Sequence, residues 1–304
     1  MYDRQARLFG DAGQDILSRT KVGIIGLGGA GSLVAEYLGR LGVGEFVLAD
    51  PDRAALTNLP RLVAARSSDA LSWFANPTQP AWMRQLATRL ALPKVKLARR
   101  NILRANRNAR VDAIFGDFLE AEVAAKFIDC DHLFLAADTM GARLLFNAIV
   151  HQYLIPGVQV GAKVRIDSTS GEVLDAYSVV RPVTPDSGCL LCNRLVNAVK
   201  LQAETISDAE RRAQRYVEEP DVVVPSVVTL NAVATAQAAN DFLFYITGLQ
   251  ESNANSAYLR IQPRGRRMWF DEVRKSPTCQ ECGSASKSRL ARGDARRLPV
   301  RDRH

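Results

Sequence analysis

Two Cys-x-x-Cys pairs, Cys189/Cys192 and Cys279/Cys282, stand 86 residues apart in this chain. Four thiolates in two such knuckles make the closed tetrahedral ligand set of a structural zinc site, with no position left for a reacting water. A fifth cysteine, Cys130, lies alone before an apolar run and reads as a buried structural thiol. A second constellation is built on glycine. The run Gly26-Leu-Gly28-Gly29-Ala-Gly31 leaves room for a phosphate to approach a helix N-terminus, and Asp50, 19 residues on, sits where a carboxylate accepts from ribose hydroxyls. That pair fits NAD as well as ATP. Asp52, Asn58, Arg61, Lys94 and Asp138 follow it. A triphosphate with magnesium asks for several cations and a carboxylate for the metal, whereas a nicotinamide cofactor asks for little charge beyond its pyrophosphate.

Elements able to hold these residues are legible around them. The apolar runs 21–25 and 45–49 flank the glycine loop and a helically spaced set, Leu33, Tyr37, Leu38 and Leu41. Further strands are expected at 111–115, 132–136 and 157–161, with helices at 119–127 and 140–152 between them. This alternation predicts an α/β fold with a doubly wound, Rossmann-like mixed sheet, parallel in its N-terminal half. After residue 161 the pattern turns antiparallel, with a hairpin over 163–180, a long helix over 225–248, and a second hairpin joining 258–261 to 267–270. The expected organisation is an N-terminal dimer arm (1–20), a nucleotide-binding domain (21–180), a part holding crossover, helix and zinc clamp (181–282), and a tail (283–304). The polar stretch 193–219 is expected to be a mobile crossover.

With 304 residues, 47% hydrophobic and 24% charged, the chain has the balance of a soluble globule rather than of a disordered or fibrous one. Its first ten residues carry no apolar leader, and its longest uncharged run, 222–240, is too polar for a membrane span. A cytoplasmic protein is therefore expected. The net charge of +8 is concentrated: residues 84–110 hold nine Lys/Arg and no acid, and residues 283–304 hold seven against two acids. The tail, low in apolar content, is expected to be disordered, with binding of RNA or an acidic partner as its functional alternative, and the two basic segments together leave tRNA binding open.

Taken in order, Arg4-Gln5, the 26–31 loop, Asp50-x-Asp52, Asn58-x-x-Arg61, Pro93-Lys94-Val95, Asp138 and the two cysteine pairs resemble the ThiF/MoeB/HesA group of ubiquitin-activating-type adenylyltransferases, across residues 2–282. The resemblance implies ATP and Mg2+ in addition to Zn2+. Asp50 would hold the ribose beside the glycine loop, Asn58, Arg61 and Lys94 the phosphates, and Asp138 the magnesium, with Asp52 nearby. Arg4 would reach the ATP of the other subunit of a homodimer. The implied reaction joins a C-terminal carboxylate, the Gly-Gly end of a ubiquitin-like or sulfur-carrier protein, to AMP with release of pyrophosphate. An α-carboxyl titrates near pH ~3.5, so no general base is required. That agrees with a chain whose histidines, His132, His151 and His304, form no recognisable triad. Arg4, Arg61, Lys94 and Asp138 are the residues expected to carry catalysis, by neutralising phosphate charge.

Two departures from the family pattern qualify this reading. Members that carry their substrate as a thioester keep a cysteine in the crossover, and residues 193–225 hold none. Adenylation without a self-thioester is expected, with a conjugating-type enzyme, a sulfur donor or an amine as acceptor. Arg61 and Lys94 also stand 33 positions apart, more than is usual in the group, and the added segment with Trp73, Phe74 and Pro77 reads as a lid, a substrate wall or a decorated loop. A peptide or tRNA substrate, an NAD(P)-dependent oxidoreductase and a non-enzymatic scaffold are the alternatives.

Overall fold

Strands whose apolar residues alternate between two buried faces need a helical layer on each side. The computed structural model describes residues 2–167, 169–205, 226–252, 254 and 256–301. In it β1 (Lys21–Ile25) sends Val22 and Ile24 to one core and Ile25 to the other, and β2 (Glu45–Ala49) divides Phe46 and Leu48 from Val47 and Ala49. With β3 (Arg110–Ile114), β4 (His132–Leu135), β5 (Gly157–Ile166), β6 (Val173–Val183), β7 (Tyr258–Gln262) and β8 (Arg267–Asp271) they form one sheet, in the order β3-β2-β1-β4-β5-β6-β7-β8. The first five strands run parallel and the last three antiparallel, as expected.

Nine helices occur among the described residues: α1 (Asp3–Arg19), α2 (Gly29–Leu41), α3 (Ser72–Ala75), α4 (Ala81–Leu90), α5 (Lys94–Ala105), α6 (Ala121–Ala124), α7 (Met140–Tyr153), α8 (Ala198–Thr205) and α9 (Val228–Ile246). Helices α2, α5 and α9 cover one face of the sheet, and α6 and α7 the other. None is long and apolar enough to cross a membrane.

The structure revises several expectations. The strand expected to end at 161 continues to Ile166, because β6 pairs with it along its whole length. The domain boundary drawn at 180 falls inside β6, which pairs with β5 on one side and β7 on the other, so a single sheet carries both halves. The helix expected over 119–127 contracts to α6. Residues 198–205 of the crossover are helical, and its remainder from residue 206 lies outside the described residues.

The largest correction is the tail, which is packed through residue 301 rather than disordered. Arg289, 7% exposed, pairs with buried Glu281 at 3.0 Å and donates to Gln152 at 2.6 Å. Leu298 and Val300 join the α7-side core, and the backbone N–H of Arg301 donates to the Leu119 carbonyl at 2.7 Å. The segment has too few apolar residues to build a core of its own, but enough to dock on one already formed.

Candidate functional site

Loops leaving the C-terminal ends of β1, β2 and β4 meet at one edge of the sheet, where doubly wound folds bind ligands. Gly26 opens the first loop with φ +84°, and a Cβ on Gly31 would lie 1.8 Å from the Gly26 carbonyl oxygen, so only glycine lets α2 start against this turn. A Cβ on Gly28 would meet nothing within 4 Å, which leaves the loop open at its centre. Asp50, 5% exposed, ties the loop to β2: its carboxylate accepts from the backbone N–H of Leu27 at 2.6 Å and of Asp52 at 2.8 Å. Burial raises its pKa above the ordinary carboxylate value, and the Lys94 charge opposes that shift.

Lys94 opens α5, where the chain runs antiparallel to the turn after β2; its N–H donates to the Asp52 carbonyl at 3.0 Å, and that of Ala54 to Leu92 at 2.8 Å. Its buried ammonium lies 2.6 Å from the exposed Asp52 carboxylate and 3.8 Å from that of Asp50. Lys94 is thus paired rather than free, and an incoming anion would compete with Asp52 for it. Asn58 and Arg61 form a second pair, with the guanidinium donating to the Asn58 side chain at 2.6 Å and to the Thr57 carbonyl at 2.8 Å. Arg61 Cδ would be 3.3 Å from a Cβ on Gly29, which places this cation on the glycine loop. Asn231 of α9 lies on the same glycine, 2.5 Å from that Cβ position, and donates to Ser226 at 3.3 Å. Asn231 has no role in the sequence reading; an asparagine early in an apolar helix was its only signal, and the structure shows it buried.

Asp138 is exposed just beyond β4. The adjacent Thr139 caps α7, its hydroxyl accepting from the Ala142 N–H at 3.3 Å, so the capping role open to Asp138 is already filled. Met140 and Gly141 at the start of α7 donate to the Glu204 carboxylate of α8 at 2.8 and 2.9 Å, which docks the crossover beside Asp138. Arg4 is exposed on α1, and the chain does not join it to the other candidates. A groove of about 370 Å³ lined by Lys21, Glu45 and Arg110 opens at the opposite edge, away from all of these residues.

The four knuckle sulfurs lie within 4.8 Å of one another, with Cys189–Cys279 at 3.7 Å and Cys192–Cys282 at 3.6 Å. Tetrahedral Zn–S bonds of about 2.3 Å space sulfurs by about 3.8 Å, so the cluster fits the ion. Backbone N–H groups of Cys192 and Glu281 donate to the Cys189 and Cys279 sulfurs at 3.4 Å. The hydrogen bond from Cys189 holds the Cys282 thiol below its ordinary pKa. Cys130 is different. It is buried ahead of β4, at the edge of the sheet away from Asp138, and burial pushes its thiol up to about 12, which disfavours the reactive thiolate.

Known proteins resemble this chain to different degrees. A model of the "ThiF family" matches residues 2–284. Molybdopterin-synthase adenylyltransferase of Escherichia coli is 30% identical over 168 residues, 55% of this chain and 59% of that protein. The tRNA threonylcarbamoyladenosine dehydratase of Escherichia coli is 25% identical over 179 residues, 58% of this chain and 59% of that one. The matched stretch therefore spans less than two thirds of either relative. The crystal structure of E. coli MccB with ATP shares the fold, with a TM-score of 0.64 at 21% identity over 93% of this chain and 74% of that one.

Proposed function

This chain belongs to the ThiF family, and from that premise we propose that it uses ATP to adenylate the C-terminal carboxylate of a protein, releasing pyrophosphate. One observation carries the reading: the glycine loop, Asp50, Asn58, Arg61, Lys94 and Asp138, spread over more than a hundred residues of sequence, converge on a single sheet edge.

In this reaction a carboxylate oxygen bonds to the α-phosphorus as the bond to pyrophosphate breaks. Two anions must meet and a third must leave, so the barrier is electrostatic. Asp50 accepts from the ribose. Arg61 and Lys94 neutralise phosphate oxygens, Lys94 exchanging Asp52 for phosphate while remaining beside buried Asp50. Asp138, helped by Asp52, would hold Mg2+, which supplies further neutralisation of phosphate charge. No proton has to be removed, and His132 and His151 are both buried in the core. Arg4 from a second copy completes the set, which makes the active form a homodimer. The substrate is a ubiquitin-like or sulfur-carrier protein ending in Gly-Gly, and the adenylate passes directly to a sulfur donor or conjugating-type enzyme, because Cys130 is buried. The four cysteines hold zinc as a structural clamp.

The test is ATP–pyrophosphate exchange with purified carrier proteins. Exchange with one of them should fall about 100-fold in Arg61→Ala and Asp138→Ala, the scale of losing one preorganised charge. Tight NAD(P) binding with no response to ATP would overturn the reading. A tRNA substrate has two observations in its favour, the second relative above and the exposed Lys96, Arg99 and Arg104 of α5. Absence of tRNA binding at low salt would remove it.

A further inference from the structure

On the face of the sheet covered by α7, two arginines lie together that none of the roles above uses. Arg181 stands on β6 opposite Gln159 of β5, itself opposite Leu135 of β4, three residues short of Asp138. Its guanidinium donates to Gln159 at 2.6 Å and makes no ion pair among the described residues. Asp271, whose charge reaches it, is committed to Arg260 at 2.8 Å. Arg143, in the first turn of α7, donates to the Leu195 carbonyl at 3.0 Å, and its Nε is buried without a partner. The charges of Asp138 and Glu204 reach Arg143, but neither forms an ion pair with it. The loop from 188 to 195 is tied to α7 by that Arg143 bond and to β7 by the Tyr258 hydroxyl, which reaches the Gly188 carbonyl at 3.5 Å.

Two half-buried like charges near enough to feel one another are costly until an anion joins them. Burial, with the Arg143 charge adding to it, lowers the Arg181 pKa to about 10. Paired guanidinium forks match the geometry of a carboxylate. The cations assigned to phosphate stand at the starts of α2 and α5, in the other helical layer, so Arg143 and Arg181 on the α7 side are left for a second anion.

We propose that Arg181, with Arg143 beside it, is a subsite for a carboxylate of the acyl substrate, supplied by its chain end or by an acidic side chain within its last few residues. The proposal rests on the adenylation reading above.

Full-length, zinc-loaded protein with AMP present is titrated calorimetrically with acetyl-Ala-Ala-Gly-Gly, with its C-terminal amide, and with the amide of acetyl-Ala-Glu-Gly-Gly. An anionic peptide should bind about tenfold or more tighter than the neutral amide. Arg181→Gln should erase that difference and Arg181→Lys should keep part of it, with melting curves confirming that both variants fold. If amidation alone abolishes binding, the chain end is the ligand; if glutamate restores it, the side chain is. Equal affinity of the wild type for all three peptides, or a preference that survives both substitutions, overturns the subsite. Carboxylate selectivity without pyrophosphate exchange on any carrier would sink the adenylation reading alone, whereas exchange with no carboxylate preference would sink only the subsite.

Discussion

His132 shows how one side chain sets a property of the whole protein. It is packed among Phe134, Phe242 and Tyr245, and neither ring nitrogen has a partner. Burial lowers its pKa from 6.5 to about 3. Because the folded value lies below the unfolded one, this stability is complete above pH ~6.5 and is lost as the pH falls from there toward the folded pKa. Urea midpoints should show a loss of about 2 kcal/mol between pH 7 and pH 5, and His132→Phe should remove most of it. A wild type equally stable at both pH values would contradict the burial of this ring. Lys94 makes a related point. As a residue type it reads as a phosphate ligand, but its ion pair with Asp52 exists only because positions 42 apart meet across the turn after β2.

At the level of elements, the cysteine knuckles and the tail form one unit behind α7. Removal of the ion by a chelator should release about one zinc per chain, measured by atomic absorption. It should lower Tm by about 5 °C, the equivalent of about 3 kcal/mol in a chain of 304 residues. An unchanged melting curve after complete metal loss would show that the clamp is dispensable. Arg289→Ala leaves the Glu281 carboxylate buried without its cation and should cost about 3 kcal/mol in urea unfolding, while the double change with Glu281→Gln should cost less. If truncation after Cys282 left stability untouched, the packing of residues 283–301 would be refuted. Composition misjudged this tail because disorder is inferred from what a segment can bury by itself. The long apolar strands and the glycine turn were legible because their patterns are local and repeat at fixed spacing.

For the whole molecule, the position of Arg4 has the clearest consequence. It stands exposed on α1, whose Gln5 donates to the Leu41 carbonyl at the far end of α2 from the glycine loop, so its proposed role requires a second copy. Arg4→Ala and Asp138→Ala proteins should each lose about 100-fold in pyrophosphate exchange. Mixed and allowed to exchange subunits, they should recover about one quarter of wild-type activity, because each heterodimer contains one intact composite site. No recovery from demonstrated heterodimers would confine the site to one chain. The +8 net charge acts at the same scale, favouring encounter with any acidic partner more than it contributes to stability.

The amino-acid order by itself determined the strand–glycine–helix unit, the change from parallel to antiparallel strands, the paired cysteines and the set of candidate ligands, because each depends on residue types at short, regular intervals. Only the tertiary structure decided which charges are satisfied: Lys94 by Asp50 and Asp52, Arg289 by Glu281, and Arg181 by no carboxylate among the described residues. It likewise brought Asn231 to Gly29 and Glu204 to the start of α7. A charge or a buried polar group has no fixed role along the chain; its energy depends on what distant segments place beside it, and that is known only when the sheet has closed its layers around them.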